Sequence, residues 1–292
     1  VAIRLLKRKR KNAKILQKWA PIFLTPLLLC FIVAFLVPFC MGILFAFTKY
    51  KTIRDFSFNG FDNFIAAFGT GSTFWHALGM TVAFVVVTVL LINVFALALA
   101  ILLTKGLKGS SFFRSLFFMP NLIGGIVLGW IWNLILNGFL TALGTNLYAN
   151  AQFGFWGLVL VTCWQQVGYM MVIYIAALMN VPVELTESAE IDGASKWQTI
   201  KSVTIPMIVP AITICTFLTL TNGFKLFDQN LALTGASVPE DELIALDIYT
   251  TMFNNASGNM GPGQAKALIF FLIVACISGL QVFITRKKEV EA

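Results

Sequence analysis

Residues 19–48 form a run of thirty positions without one charged side chain. A secretory signal has an apolar core of about 7–15 residues, so this run is too long to be one and reads as a retained membrane span. Prolines at 21, 26 and 38 bend its ends. The 292 residues are 58% hydrophobic and 12% charged, with mean hydropathy +0.84. A soluble domain has an apolar share near one half, so the composition excludes one and specifies a polytopic membrane protein.

Further apolar runs follow at 77–104, about 115–136, 154–180, 206–224 and 265–285. The third is interrupted by Pro120 and by Gly124-Gly125. Such breaks are tolerated where freed backbone groups face protein or a cavity. Residues 1–18 hold eight of the 21 basic residues and no acid. Six spans with both ends cytoplasmic place 16 Lys and Arg inside, four outside and Lys266 at an interface, as the positive-inside rule expects. The organisation is then a basic cytoplasmic N-terminus 1–18, a first span 19–48, an external loop 49–76, a five-helix core 77–285 and a cytoplasmic tail 286–292. That core contains a cytoplasmic loop 181–206 and an external loop 225–263. The fold class is all-α.

Several chemistries are poorly supplied. The five cysteines lie inside apolar runs and His76 is the only histidine, so neither a zinc site nor histidine catalysis has ligands to draw on. The net charge of +8 is explained by topology without nucleic acid. The span interiors carry no Asp, Glu, Lys, Arg or His, which argues against a proton relay, although backbone carbonyls could still bind Na⁺. No G-x-x-x-x-G-K-[ST] loop occurs, so ATP phosphates have no usual cradle in this chain.

The loop 181–206 is the exception to this apolar plan, with four carboxylates and two lysines. Pro182 breaks the preceding span, and Glu184, Glu187 and Glu190 recur at spacing three along one helix edge. Ala189 and Ala194 leave little bulk, and Gly193 supplies a turn between two short helices. Trp197, Ile200 and Val203 repeat at helical spacing and would seat the second helix on something apolar. An amphipathic helix resting on the membrane is the alternative, but an acidic edge faces anionic headgroups poorly. A basic groove on a protein partner fits better.

Glu187-Ser188-Ala189, Gly193 and Val203-Thr204-Ile205-Pro206 resemble the EAA loop of bacterial ABC importer permeases. That pattern is Glu-Ala-Ala, three residues, Gly, nine residues, Ile-x-Leu-Pro; Ser188, Val203 and Ile205 depart from it conservatively. The segments FSFNGFDNFIAAF, IYIAAL, VPVEL, EIDGASKWQTI and FKLFDQNLALTG with LDIYTTMF are similar to the sugar-type branch, which includes maltose, multiple-sugar and glycerol-phosphate permeases. Thr234-Gly235-Ala236-Ser237 stands where that branch has a Gly-Gly-Pro turn after the Thr.

The resemblance implies six transmembrane helices in a bacterial or archaeal cell inner or plasma membrane. It implies a second homologous permease, two cytoplasmic ATPase subunits that bind ATP and Mg, and an extracytoplasmic solute-binding protein. It assigns coupling to Glu187, Ser188, Ala189, Asp192, Gly193, Ala194 and Pro206, with no catalytic or metal site and no cofactor in this chain. For a sugar or oligosaccharide, the mid-span candidates are Trp130, Asn133, Trp164, Gln165, Gln166, Tyr169 and Asn222, since amides bond hydroxyls and aromatic faces cover a pyranose. Polar residues in spans also bond across helices. Another solute such as glycerol phosphate, a stand-alone secondary transporter and a membrane-embedded enzyme remain the alternatives.

Overall fold

A computed structural model describes residues 19–52, 54–235, 242–254 and 258–286. The basic segment 1–18, the tail beyond Arg286, and Ala236 and Ser237 of the external turn lie outside the described residues. The described residues are mostly helical. Helix α1 is Trp19–Ala46 with a π-turn at Ile32–Leu36, and a hairpin of β1 (Thr48–Thr52) and β2 (Asp55–Phe58) follows. Next come α2 (Asp62–Phe68), α3 (Phe74–Thr104), α4 (Ser110–Phe118), α5 (Gly125–Ala142) and α6 (Ala151–Met179). The second half holds α7 (Val183–Ile191), α8 (Lys196–Met207), α9 (Val209–Phe224), α10 (Asp228–Leu233), α11 (Ile244–Phe253) and α12 (Gly261–Arg286).

Five of these helices, α1, α3, α5, α6 and α12, are long and apolar enough to cross a bilayer, and α8 with α9 makes a sixth crossing bent by 72°. The expected all-α polytopic fold is therefore present. The bend sits at Ile208, between Pro206 and Pro210, where two missing N–H donors break the helical ladder. The third crossing differs from its expected bounds. Instead of one interrupted helix over 115–136, α4 ends at Phe118, a 3₁₀ turn spans Met119–Leu122, and α5 begins after extended Gly124.

Helices α3 and α6 form the centre of the bundle, with α9 across them. Tyr174 donates to Asn93 Oδ1 at 2.6 Å, and Asn93 donates to Thr219 Oγ1 at 3.0 Å. One half-buried amide thus ties three crossings together, as interhelical polar groups do in a medium without water. Gly168 lets α4 lie flat on α6: a Cβ there would collide with the Phe117 carbonyl.

The described parts of the segment 225–263 are built into the bundle. α10 packs on α5 at Gly125 and Gly129, where an added Cβ would meet Asp228 and Ala232 side chains at 2.8 Å. α11 is held by Ile244 N–H on Thr81 Oγ1 at 2.8 Å and by an ion pair from Asp247 to Lys266 on α12. Lys266, expected at an interface beside the last span, is only 3% exposed within the protein. Its ammonium donates to both Asp247 oxygens at 3.0 and 2.9 Å, to Thr251 at 2.8 Å and to Thr73 at 3.2 Å. The hairpin is fastened beside it by Asn63, which donates to the Ala46 and Thr48 carbonyls at 2.9 and 2.8 Å.

Candidate functional site

The acidic loop is two capped helices back to back. Pro182 precedes α7, whose C-terminus closes as a Schellman motif: Ala194 N–H reaches Ala189 O and Gly193 N–H reaches Glu190 O, both at 3.0 Å. Gly193 has φ +81°, the left-handed conformation that this closure requires and that glycine adopts without strain. Ser195 then caps α8 reciprocally, accepting from Gln198 N–H at 3.4 Å while its own N–H reaches Gln198 Oε1 at 2.7 Å. The spacing Ser-x-x-Gln carried that signal in the sequence.

Glu184, Glu187, Ser188, Glu190, Asp192 and Gly193 are exposed, Ala189 and Ala194 half-buried, and Pro206 half-buried at the bend. Trp197 does not seat α8 as expected. It is 69% exposed beyond the bundle's end, and the seating falls to buried Thr199 and half-buried Ile200 and Val203. With Ile191 at 86% exposed, Trp197 adds an apolar patch beside the acidic edge. Beneath the loop is a hollow of about 550 Å³, walled by the end of α3 and by α7 and α8.

A second concavity of about 300 Å³ lies where α6, α9 and α10 meet. Five amides line it, from Asn121, Gln165, Gln166, Asn222 and Gln229, with Lys225 and Asp228 at the same opening. Gln165 is fixed in place, donating to the Ile123 carbonyl at 3.0 Å and accepting from Gln229 Nε2 at 2.8 Å. Gln166 is 7% exposed and its Oε1 has no hydrogen-bond partner. A buried carbonyl oxygen in that state needs an O–H or N–H donor. The cleft therefore suits a ligand rich in hydroxyls.

Three of the seven mid-span candidates, Gln165, Gln166 and Asn222, meet in this cleft. The other four stand apart from it. Trp130 is 62% exposed on α5. Asn133 donates to the Tyr148 hydroxyl at 2.6 Å and to the Leu233 carbonyl, a bond that holds α10. Trp164 is edge-on to Trp132 at 5.5 Å, and Tyr169 lies near Phe118. Asn121, Lys225, Asp228 and Gln229 were missed, because the FKLFDQN stretch reads as loop until α10 is seen against α5.

The description "binding-protein-dependent transport system inner membrane component" belongs to the family whose model matches residues 80–290. The probable starch degradation products transport system permease protein AmyD of Thermoanaerobacterium thermosulfurigenes is 43% identical, over 96% of this chain and 99% of that one. The multiple sugar-binding transport system permease protein MsmF of Streptococcus mutans is 30% identical, over 95% and 99%. A crystal structure of a bacterial alginate ABC transporter, in complex with an alginate pentasaccharide-bound periplasmic protein, contains a chain similar in fold. It has a TM-score of 0.77 at 21% identity, covering 94% of this chain and 96% of its own.

Proposed function

Because the chain belongs to the family of inner-membrane components of binding-protein-dependent transport systems, we propose that it forms half of the translocation pathway for a sugar or oligosaccharide. In this reading it pairs with a second homologous permease, receives solute from an extracytoplasmic binding protein and is driven by two cytoplasmic ATPase subunits, which bind ATP and Mg. It is a multi-pass inner-membrane transport subunit and not the ATPase. Both termini face the cytoplasm, on the side of the loop 181–206.

The observation that carries the coupling is the exposed, self-capped loop. Glu187 offers its carboxylate to a basic groove, Ser188, Ala189 and Ala194 permit close approach, Asp192 and Gly193 form the turn, and Pro206 marks the bend through which displacement enters α9. The saccharide assignment is supported by the sugar permeases among the similar proteins and by the amide cleft. Gln166 Oε1 accepts a hydroxyl, while Asn222 and Gln165 face the same space. Conformational change on ATP binding then exposes the cleft to alternate sides.

The test is ATPase activity of the assembled transporter in liposomes with binding protein and candidate sugar, comparing the parent chain with Glu187→Ala. Stimulation in the parent and its loss in an assembled variant are the expected results. Equal stimulation in both would remove the loop from the coupling path.

A further inference from the structure

An apolar groove of about 570 Å³ runs along the outside of α3, α4 and α6, and no charged or amide side chain lines it. Phe95 and Leu99 form one wall, Leu116 and Phe117 the second, Trp164 and Val167 the third. At one end of it the chemistry changes abruptly. Arg114 lies one turn before Phe117 on the same face of α4, and its guanidinium donates to the Leu103 carbonyl at 3.4 Å, one turn past Leu99. Arg114 Nε is buried without a hydrogen-bond partner. Lys108 is exposed on the adjoining loop, and Lys105 beside it also borders the hollow that contains Glu190. No Asp or Glu occurs between Asp62 and Glu184.

We infer that this groove binds one anionic phospholipid, its acyl chain along Leu99, Phe117 and Val167 and its phosphate at Arg114 and Lys108. Two independent features converge on that ligand. The groove is apolar along its length, which suits a hydrocarbon chain, and its end presents cations, one with an unused buried N–H, which suits a phosphate oxygen. A second apolar helix in the groove would cover the wall but leave the cations without a counter-ion. The end in question is the one that carries the loop 181–206, because Lys105 and Glu190 border one hollow. The site itself requires only that the helices span a bilayer; its test uses the assembly of the transport reading but reads lipid labelling, which no transport step enters.

The assembled transporter is placed in phosphatidylcholine nanodiscs containing a trace of phosphatidylglycerol with a photoactivatable acyl chain, and adducts are mapped by mass spectrometry. Labelling of Leu116, Phe117 or Trp164 is expected, displaced by unlabelled phosphatidylglycerol and not by phosphatidylcholine. One cation near a headgroup corresponds to about a fivefold change in affinity, so Arg114→Gln lowers the labelling by about that factor. Arg114→Lys, which keeps the charge, retains most of it. Equal labelling by photoactivatable phosphatidylcholine in the parent chain overturns the proposal whatever the variants do. So does an unlabelled groove in which Leu116→Cys crosslinks to the second permease, which would make it a subunit interface.

Discussion

Replacing Lys266 by Met removes the ammonium and keeps most of the side chain's bulk. Asp247 would then remain 1% exposed with its principal counter-charge gone. Thr73 still donates to it, but breaking a buried pair by removing one partner costs about 3–5 kcal/mol. Denaturant unfolding of the detergent-purified protein measures the loss. The double variant Lys266→Met with Asp247→Leu should recover most of the stability, because a well-packed apolar pair replaces a charged one at little cost. A loss below about 1 kcal/mol in the single variant would refute the reasoning.

A Cβ added at Gly193 meets no neighbour within 4 Å, so the cost of Gly193→Ala is backbone strain alone, about 1–2 kcal/mol in the left-handed region; assembly should survive while sugar-stimulated ATPase activity falls. Gly129→Val drives a methyl group into Ala232 and the Gln229 carbonyl, which lie 2.8 and 3.0 Å from a Cβ; a loss of about 1–3 kcal/mol by the same unfolding assay is expected. Burial raises the Glu242 carboxyl above its ordinary 4.5, against the opposing hydrogen bond from Thr250. The folded chain therefore keeps a proton that the unfolded chain has released. The stability this contributes is full below about pH 4.5 and is lost as pH rises through the folded value. Glu242→Gln should be more stable than the parent at pH 7, and its unfolding free energy should fall less between pH 4.5 and 7.

What the sequence discloses is local. Pro182, Gly193 and the Ser195-x-x-Gln198 cap delimit the loop because their effects are exerted within four residues. The crossings follow from apolar length alone. The third reads as one span interrupted at Pro120 and Gly124-Gly125, and only packing of Phe117 on Gly168 shows that α4 is a separate piece. Lys266 reads as an interfacial cation, since its partner Asp247 is 19 positions away on another helix and no periodicity links them. The amide cleft was half legible: Gln165 and Gln166 stand out in an apolar run, whereas Asp228 and Gln229 join them through a contact with Gly125, about a hundred residues earlier. Trp197 matched a helical spacing, but its turn projects past the bundle.

The double capping at Gly193 and Ser195 has a mechanical consequence. The C-terminus of α7 and the N-terminus of α8 each close their own end groups, so the turn between them can move without breaking those capping bonds. A pivot is available at each end, at Val181-Pro182 and at the 72° break beside Ile208, and the hollow of about 550 Å³ beneath leaves clearance. Helix α8 spans twelve residues and is about 18 Å long, so a tilt of about 5° displaces its far end by about 1.5 Å. In the proposed coupling role, a push at the acidic edge would be passed to α9 as a rotation of α8, with its π-helical turn at Ile200–Thr204 next to the bend.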